Sequence, residues 1–367
     1  MTSTCSTATP TMASGLSTPT TSTAETMAFK CGVAASGPGL FTENIQTAFA
    51  EAGFDLKIGL SMGKLNSQAP VHRALSSSMA RILVVKTWPL CSGRGGTLPG
   101  LVEDNTVDLK AEMESLTSLQ HPRLVRMLDH VRTDCHLHLL LENVSHGSLR
   151  GHLNSFGAMA GSVLARTIRG ISEGLGFLHS HSPPVAHGNL RSSKVLIDAS
   201  MNIKLTDFGS IGLLCQQDQA VNLAFLQWSA PEQAQGLIGK NRRSASKADI
   251  WSLGCLLVEA ATAEKPWGAA TVDFVCTALL QTHTEGPSPP VPRTLTEAGK
   301  IFAQECFRRV PAQRPSAEDL LLHPFLCNRS STLAIKHACS LHGDRDRCSG
   351  AVMNEKTFQG TCSWQGA

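Results

Sequence analysis

The hydrophobic pattern of this chain is mostly strand-like up to about residue 145 and helical beyond it, and that switch constrains the fold more than any other feature. Before it, apolar residues come in short β-branched runs. Arg81-Ile82-Leu83-Val84-Val85-Lys86 suits a buried strand, and strand character resumes over Val131 to Leu141. A Gly/Pro-containing loop from Pro89 to Gly100 separates the first run from Val107–Leu119, where Leu109, Met113, Leu116 and Leu119 recur at helical spacing. Beyond the switch, Ser162–His179 places Leu164, Ile168, Ile171, Leu175 and Leu178 on one helix face, and 247–262, 296–307 and 317–322 also read as helices. The pattern predicts an α+β protein of two lobes, a small β-rich one with one key helix over about 51–141 and a larger helical one over about 146–327.

Composition settles the ends and excludes several classes. Hydrophobic residues make up 42% of the 367 and charged residues 17%, enough apolar area for a real core. Half of the first thirty residues are Ser or Thr, so residues 1–50 read as a disordered segment without the sequence of a secretory signal. Residues 328–367 read as a polar tail, with one short helix at 331–341. A net charge of +3 argues against a dedicated nucleic-acid or membrane-surface protein, and no apolar run reaches the length of a bilayer span. The twelve cysteines form no CxxC pair and are scattered, which predicts reduced, mostly buried thiols and a cytoplasmic chain. Cys327, Cys339, Cys348 and Cys362 crowd the polar tail and leave a metal or disulfide alternative open there.

Seven short motifs stand in a fixed order over residues 53–327. They are Val84-Val85-Lys86; Glu112 nine residues before His121-Pro122; Leu139-Leu140-Leu141-Glu142 with Gly147-Ser148-Leu149; His187 to Lys194; Asp207-Phe208-Gly209; Ala230-Pro231-Glu232; and Asp249 to Gly254 followed by Arg314-Pro315. In that order and spacing the chain resembles the eukaryotic protein-kinase domain. The resemblance implies that Lys86, braced by Glu112, contacts ATP, and that Asp207 meets Mg²⁺. It also implies a nucleotide pocket lined by Gly59, Gly63, Val71, Val84, Leu141 and Glu142. Glu232 and Arg314 resemble the family's buried structural ion pair, and Asp249 the residue that braces the catalytic loop. The chemistry agrees: phosphoryl transfer needs a held polyphosphate and cations that neutralise its equatorial oxygens.

The departures from that pattern carry as much information. Where the family has His-Arg-Asp and then Asn five residues on, this chain has His187-Gly188-Asn189 and Lys194. An amide at Asn189 accepts no proton, and losing general-base help costs roughly 10² to 10⁴ in rate. Lys194 cannot ligate Mg²⁺, but its ammonium can neutralise phosphate charge. Gly188 lacks the guanidinium that reads a phosphorylated activation segment, and no Ser, Thr or Tyr lies between Ile211 and Trp228. Ile58-Gly59-Leu60-Ser61-Met62-Gly63 is a poor phosphate loop, Val71 arrives about five residues late, and Val84 stands where the family has a small Ala. Phe225 replaces the Pro or Thr on which a substrate residue would rest.

The loop from His187 to Ser193 is similar to that of plant receptor-like pseudokinases and of the kinase-homology domain of receptor guanylyl cyclases. These departures predict a pseudokinase that binds a protein partner in signalling and retains ATP. The alternatives are a divergent Ser/Thr kinase acting on protein hydroxyls and an interaction domain without nucleotide.

Overall fold

A computed structural model of the chain describes residues 38–62, 70–89, 91–92, 96–97, 106–134, 136–209, 225–235, 242–281 and 286–327. Gly63, the central activation segment and the two terminal tracts lie outside the described residues. The described chain falls into two compact units: one runs to Leu119 and adds Met127–Asn143, the other joins Gln120–Arg126 to Val144 onward.

The first unit opens with helix α1 (Pro38–Glu51), followed by strands β1 (Leu56–Ser61), β2 (Val71–Ser76) and β3 (Arg81–Pro89). A short pairing of β4 (Cys91–Ser92) with β5 (Gly96–Thr97), helix α2 (Thr106–Ser118), and strands β6 (Met127–Arg132) and β7 (His136–Glu142) complete it. The five long strands form one antiparallel sheet in the order β1-β2-β3-β7-β6. Helix α1 corrects the expectation that residues 1–50 lack structure. Ile45, Ala48 and Phe49 recur at i, i+3 and i+4, so a helix presents all three on one side. Ile45 and Phe49 are fully buried in a cluster with Leu56, Ala74, Leu83, Val85 and Leu140. The sheet therefore gains a cover that the Ser/Thr-rich composition upstream had hidden.

The second unit is mostly helical: α3 (Leu149–Phe156), α4 (Gly161–Ser180), α5 (Pro231–Ala234), α6 (Arg242–Thr262), α7 (Val272–Leu280), α8 (Glu297–Cys306), α9 (Ala317–Leu321) and α10 (Pro324–Cys327). Between α4 and α5 lies a hairpin of β8 (Val195–Ile197) and β9 (Ile203–Leu205). Every apolar residue assigned to the inner face of α4 is buried, from Leu164 through Leu178. That helix crosses β9 at Gly174, where an added Cβ would meet Leu205 Cδ1 at 2.8 Å and Arg123 Cβ at 3.3 Å. Helix starts follow local hydrogen bonding: Ser148 caps α3, and Ser316 with Asp319 forms a reciprocal capping box at α9. Among the described cysteines, Cys255, Cys276, Cys306 and Cys327 are free thiols, with Cys255 and Cys306 buried. No helix among the described residues is long and apolar enough to cross a membrane.

Candidate active site

In the first unit the sheet register sorts the residues expected to meet nucleotide. Side chains alternate faces along a strand, and directly opposed residues share a face. Val71 pairs with Lys86, Val84 with Leu141 and Lys86 with Leu139, so Val71, Val84, Lys86 and Leu141 occupy one face together. Leu83 and Val85 occupy the other, against α1. Glu142 pairs with Leu83 and alternates to that second face. Lys86 is 7% exposed and holds its ammonium 4.5 Å from the centre of the Trp88 ring, a cation–π contact. Gly59 is an exposed residue of β1, and Glu112 lies on α2 with its side chain outside the description.

In the second unit the loop after α4 is clamped from one side chain. Asp249, 2% exposed on α6, accepts the His187 backbone N–H at 2.7 Å and the Gly188 N–H at 2.9 Å, and sits 2.8 Å from His179 Nε2. The expected bracing role of Asp249 thus has a geometry. Gly188 takes φ 76°, a left-handed conformation natural to glycine, and its carbonyl accepts from Gln233 Nε2 at 2.9 Å. His187 is fully buried, and desolvation holds its imidazole at about 4, so the ring is neutral. Asn189 is 1% exposed, and its buried Oδ1 has no hydrogen-bond partner among the described residues. A buried acceptor without a donor is costly and calls for a partner.

The hairpin then brings Lys194 to Asp207. Val195 pairs with Leu205, and the Thr206 N–H donates to the Lys194 carbonyl at 3.0 Å, so the residues flanking the two strands meet. The Lys194 ammonium donates to Asp207 Oδ2 in a buried ion pair. Asp207 Oδ1 accepts from the Thr206 hydroxyl at 3.3 Å. Asp207 itself sits at φ 61°, a region that costs a non-glycine residue of order 1–3 kcal/mol and that clusters at functional sites. A divalent ion does not fit this arrangement. One carboxylate oxygen already holds an ammonium, and that same lysine stands at the position of the resembling family's second metal ligand.

Two further carboxylates organise the scaffold. Glu232, in α5, receives both Nη atoms of Arg314, at 2.6 and 2.8 Å, the bidentate pair expected from sequence. Glu259 was not anticipated as a site residue. Fully buried on α6, it accepts from Ser192 Oγ at 2.5 Å, Trp228 Nε1 at 2.8 Å and Arg150 Nη1 at 2.9 Å. Burial raises its carboxyl above the usual range, opposed by those three donors. It ties the catalytic-loop position to the segment before Ala230 and to the start of α3. Its signal in the sequence is a lone acid inside the apolar run Leu253–Ala261.

Comparison with known proteins follows the same outline. Over 226 residues the chain is 34% identical to the mitogen-activated protein kinase kinase kinase ANP1 of Arabidopsis thaliana, covering 60% of this chain and 33% of that protein. It is 32% identical over 228 residues to mitogen-activated protein kinase kinase kinase A of Dictyostelium discoideum, covering 61% of this chain and 23% of that one. To the human mitogen-activated protein kinase kinase kinase 3 it is 32% identical over 224 residues, 59% of this chain and 34% of the relative. The chain thus spans about a third or less of the relatives it matches. Its fold is similar to the crystal structure of Rad53 1-466 in complex with AMP-PNP, with a TM-score of 0.58 and 23% identity over 74% of this chain and 65% of that one. The family model described as the protein kinase domain matches residues 71–326, more than half of the chain, and with the two-unit fold, the clamped loop and the Glu232–Arg314 pair already in place, this chain belongs to that family.

Proposed function

We propose that this domain is a Ser/Thr protein kinase of the mitogen-activated protein kinase kinase kinase type, binding ATP and transferring its terminal phosphoryl group slowly to protein hydroxyls. The relatives support this reading over the pseudokinase that the sequence put first: by name they are protein kinases, and over the 224–228 aligned residues they are 32–34% identical to this chain. The observation that carries it is the loop held by Asp249. It holds Asn189, whose buried Oδ1 is an acceptor without a partner among the described residues, at the position of the family's base, and the kinase reading requires a substrate hydroxyl to reach that oxygen. Asn189 orients that hydroxyl but does not take its proton. Positioning and electrostatics supply most of this kind of catalysis, so the reaction survives at a reduced rate. The shared sheet face of Val71, Val84, Lys86 and Leu141 is the part of the first unit assigned to nucleotide. The substrate is a protein, and the location is cytoplasmic.

A second reading, a pseudokinase acting as scaffold, is favoured by the pairing of Asp207 with Lys194 and by the missing carboxylate at Asn189. Radiolabelled transfer from ATP to generic Ser/Thr substrates separates the two. The kinase reading expects a slow signal that Asp207→Ala abolishes and that Asn189→Asp raises by up to roughly 10² to 10⁴. No transfer from either the wild type or Asn189→Asp would leave the scaffold reading in its place.

A further inference from the structure

The residues around Asp207 suggest a ligand requirement that departs from the family's. We propose that Lys194 is a built-in cation, and that this domain binds ATP without a divalent metal. The inference rests on the nucleotide-binding part of the reading above.

The geometry carries it. A metal site of this kind is an anionic pocket that a divalent ion neutralises. Here the carboxylate of Asp207 is already neutralised by the Lys194 ammonium, and both residues are at most 5% exposed. The backbone brings the two residues together. Lys194 ends a 3-10 turn with its N–H on the Arg191 carbonyl at 2.8 Å, and its own carbonyl takes the Thr206 N–H at 3.0 Å. Val195 and Leu205 lock the hairpin register between them. These bonds set the Lys194 backbone beside Asp207, and a divalent cation brought beside the ammonium would meet like-charge repulsion in a site from which water is largely excluded. An ammonium has three donors in a flexible arrangement, so it can hold Asp207 and a phosphate oxygen together. The cation that the family recruits from solution is then part of the chain.

The test is equilibrium binding of ATP to the full-length protein, read by calorimetry, in the presence of Mg²⁺ and again in excess chelator. The wild type is expected to bind with closely similar affinity in both. Lys194→Asn, which removes the charge and restores a carboxamide, is expected to lose about tenfold to hundredfold in chelator and to recover with Mg²⁺. Wild-type binding that appears only with Mg²⁺ would overturn the inference while leaving nucleotide binding intact. Equal wild-type binding in both conditions that Lys194→Asn and Lys194→Met leave unchanged would also overturn it, because the cation would then lie elsewhere. Absence of binding in either condition would remove the nucleotide reading itself, and this inference with it. The first comparison uses only the wild type, so a variant that fails to fold does not protect the idea.

Discussion

Substituting Glu232 by Gln tests whether the buried pair with Arg314 organises the second unit. All five guanidinium N–H groups are used: Nε donates to the Arg308 carbonyl at 2.8 Å, and Nη1 to Glu232 Oε1 at 2.6 Å and the Lys247 carbonyl at 2.8 Å. Nη2 donates to Glu232 Oε2 at 2.8 Å and the Arg309 carbonyl at 3.2 Å. The Trp251 ring lies 5.2 Å from the guanidinium carbon, and the Arg314 side chain is shut off from water. Gln keeps the shape but offers one acceptor where two stood, and turns an amide N–H₂ toward a guanidinium N–H. One charge-assisted bond is lost, about 1.5–3 kcal/mol, and a buried donor is left unsatisfied, about 1–3 kcal/mol. The expected loss is about 3–5 kcal/mol, the range for breaking a buried pair. Buried pairs can often be replaced by apolar residues at little cost. Here the carbonyls of Arg308, Lys247 and Arg309 would lose their donor, so Glu232→Leu combined with Arg314→Met is expected to remain destabilised by at least about 2 kcal/mol. Urea denaturation followed by tryptophan fluorescence reads both variants as midpoint shifts at constant slope. A Glu232→Gln loss below about 1 kcal/mol, or a double variant as stable as the wild type, would refute the reasoning.

Two other expectations follow from burial. Phe49→Ala empties a fully buried site between α1 and the sheet, and is expected to destabilise the first unit by about 3–5 kcal/mol; an unchanged denaturation midpoint would mean that α1 is an appendage. Burial also holds the folded imidazoles of His138, His187 and His323 at about 4, below the ordinary 6.5. The unfolded chain takes up protons first as the pH falls. The contribution of these neutral rings is therefore complete above about 6.5 and is lost progressively toward about 4. Thermal melts across that window should show a falling Tm, and a Tm that rises on acidification would contradict the assignment.

Much of the architecture was legible because it is written in local terms. A period of 3.6 residues marked α4, and a β-branched run ending in Lys86 marked β3. Ordered short motifs placed Asp249, Glu232 and Arg314. Those residues work through contacts that their motif positions imply, and the structure gives each its partner. Helix α1 was missed for a compositional reason. Its buried residues Ile45, Ala48 and Phe49 sit downstream of a Ser/Thr tract, and so short an apolar stripe establishes a helix only when a sheet is present to bury it. Glu259 was visible as an acid in an apolar run, but its donors lie 31, 67 and 109 residues away in sequence.

By itself the sequence determined which chemical groups this protein has: a lysine on a strand, an amide where the family has a base, and a second lysine where it has a metal ligand. Only the tertiary structure decided what those groups face. Hairpin register turned Lys194 onto Asp207, and sheet pairing gathered Val71, Val84, Lys86 and Leu141 on one face while α1 sealed the other. Residue identity is a local property, whereas charge neutralisation and burial depend on which distant backbone segments the fold brings together.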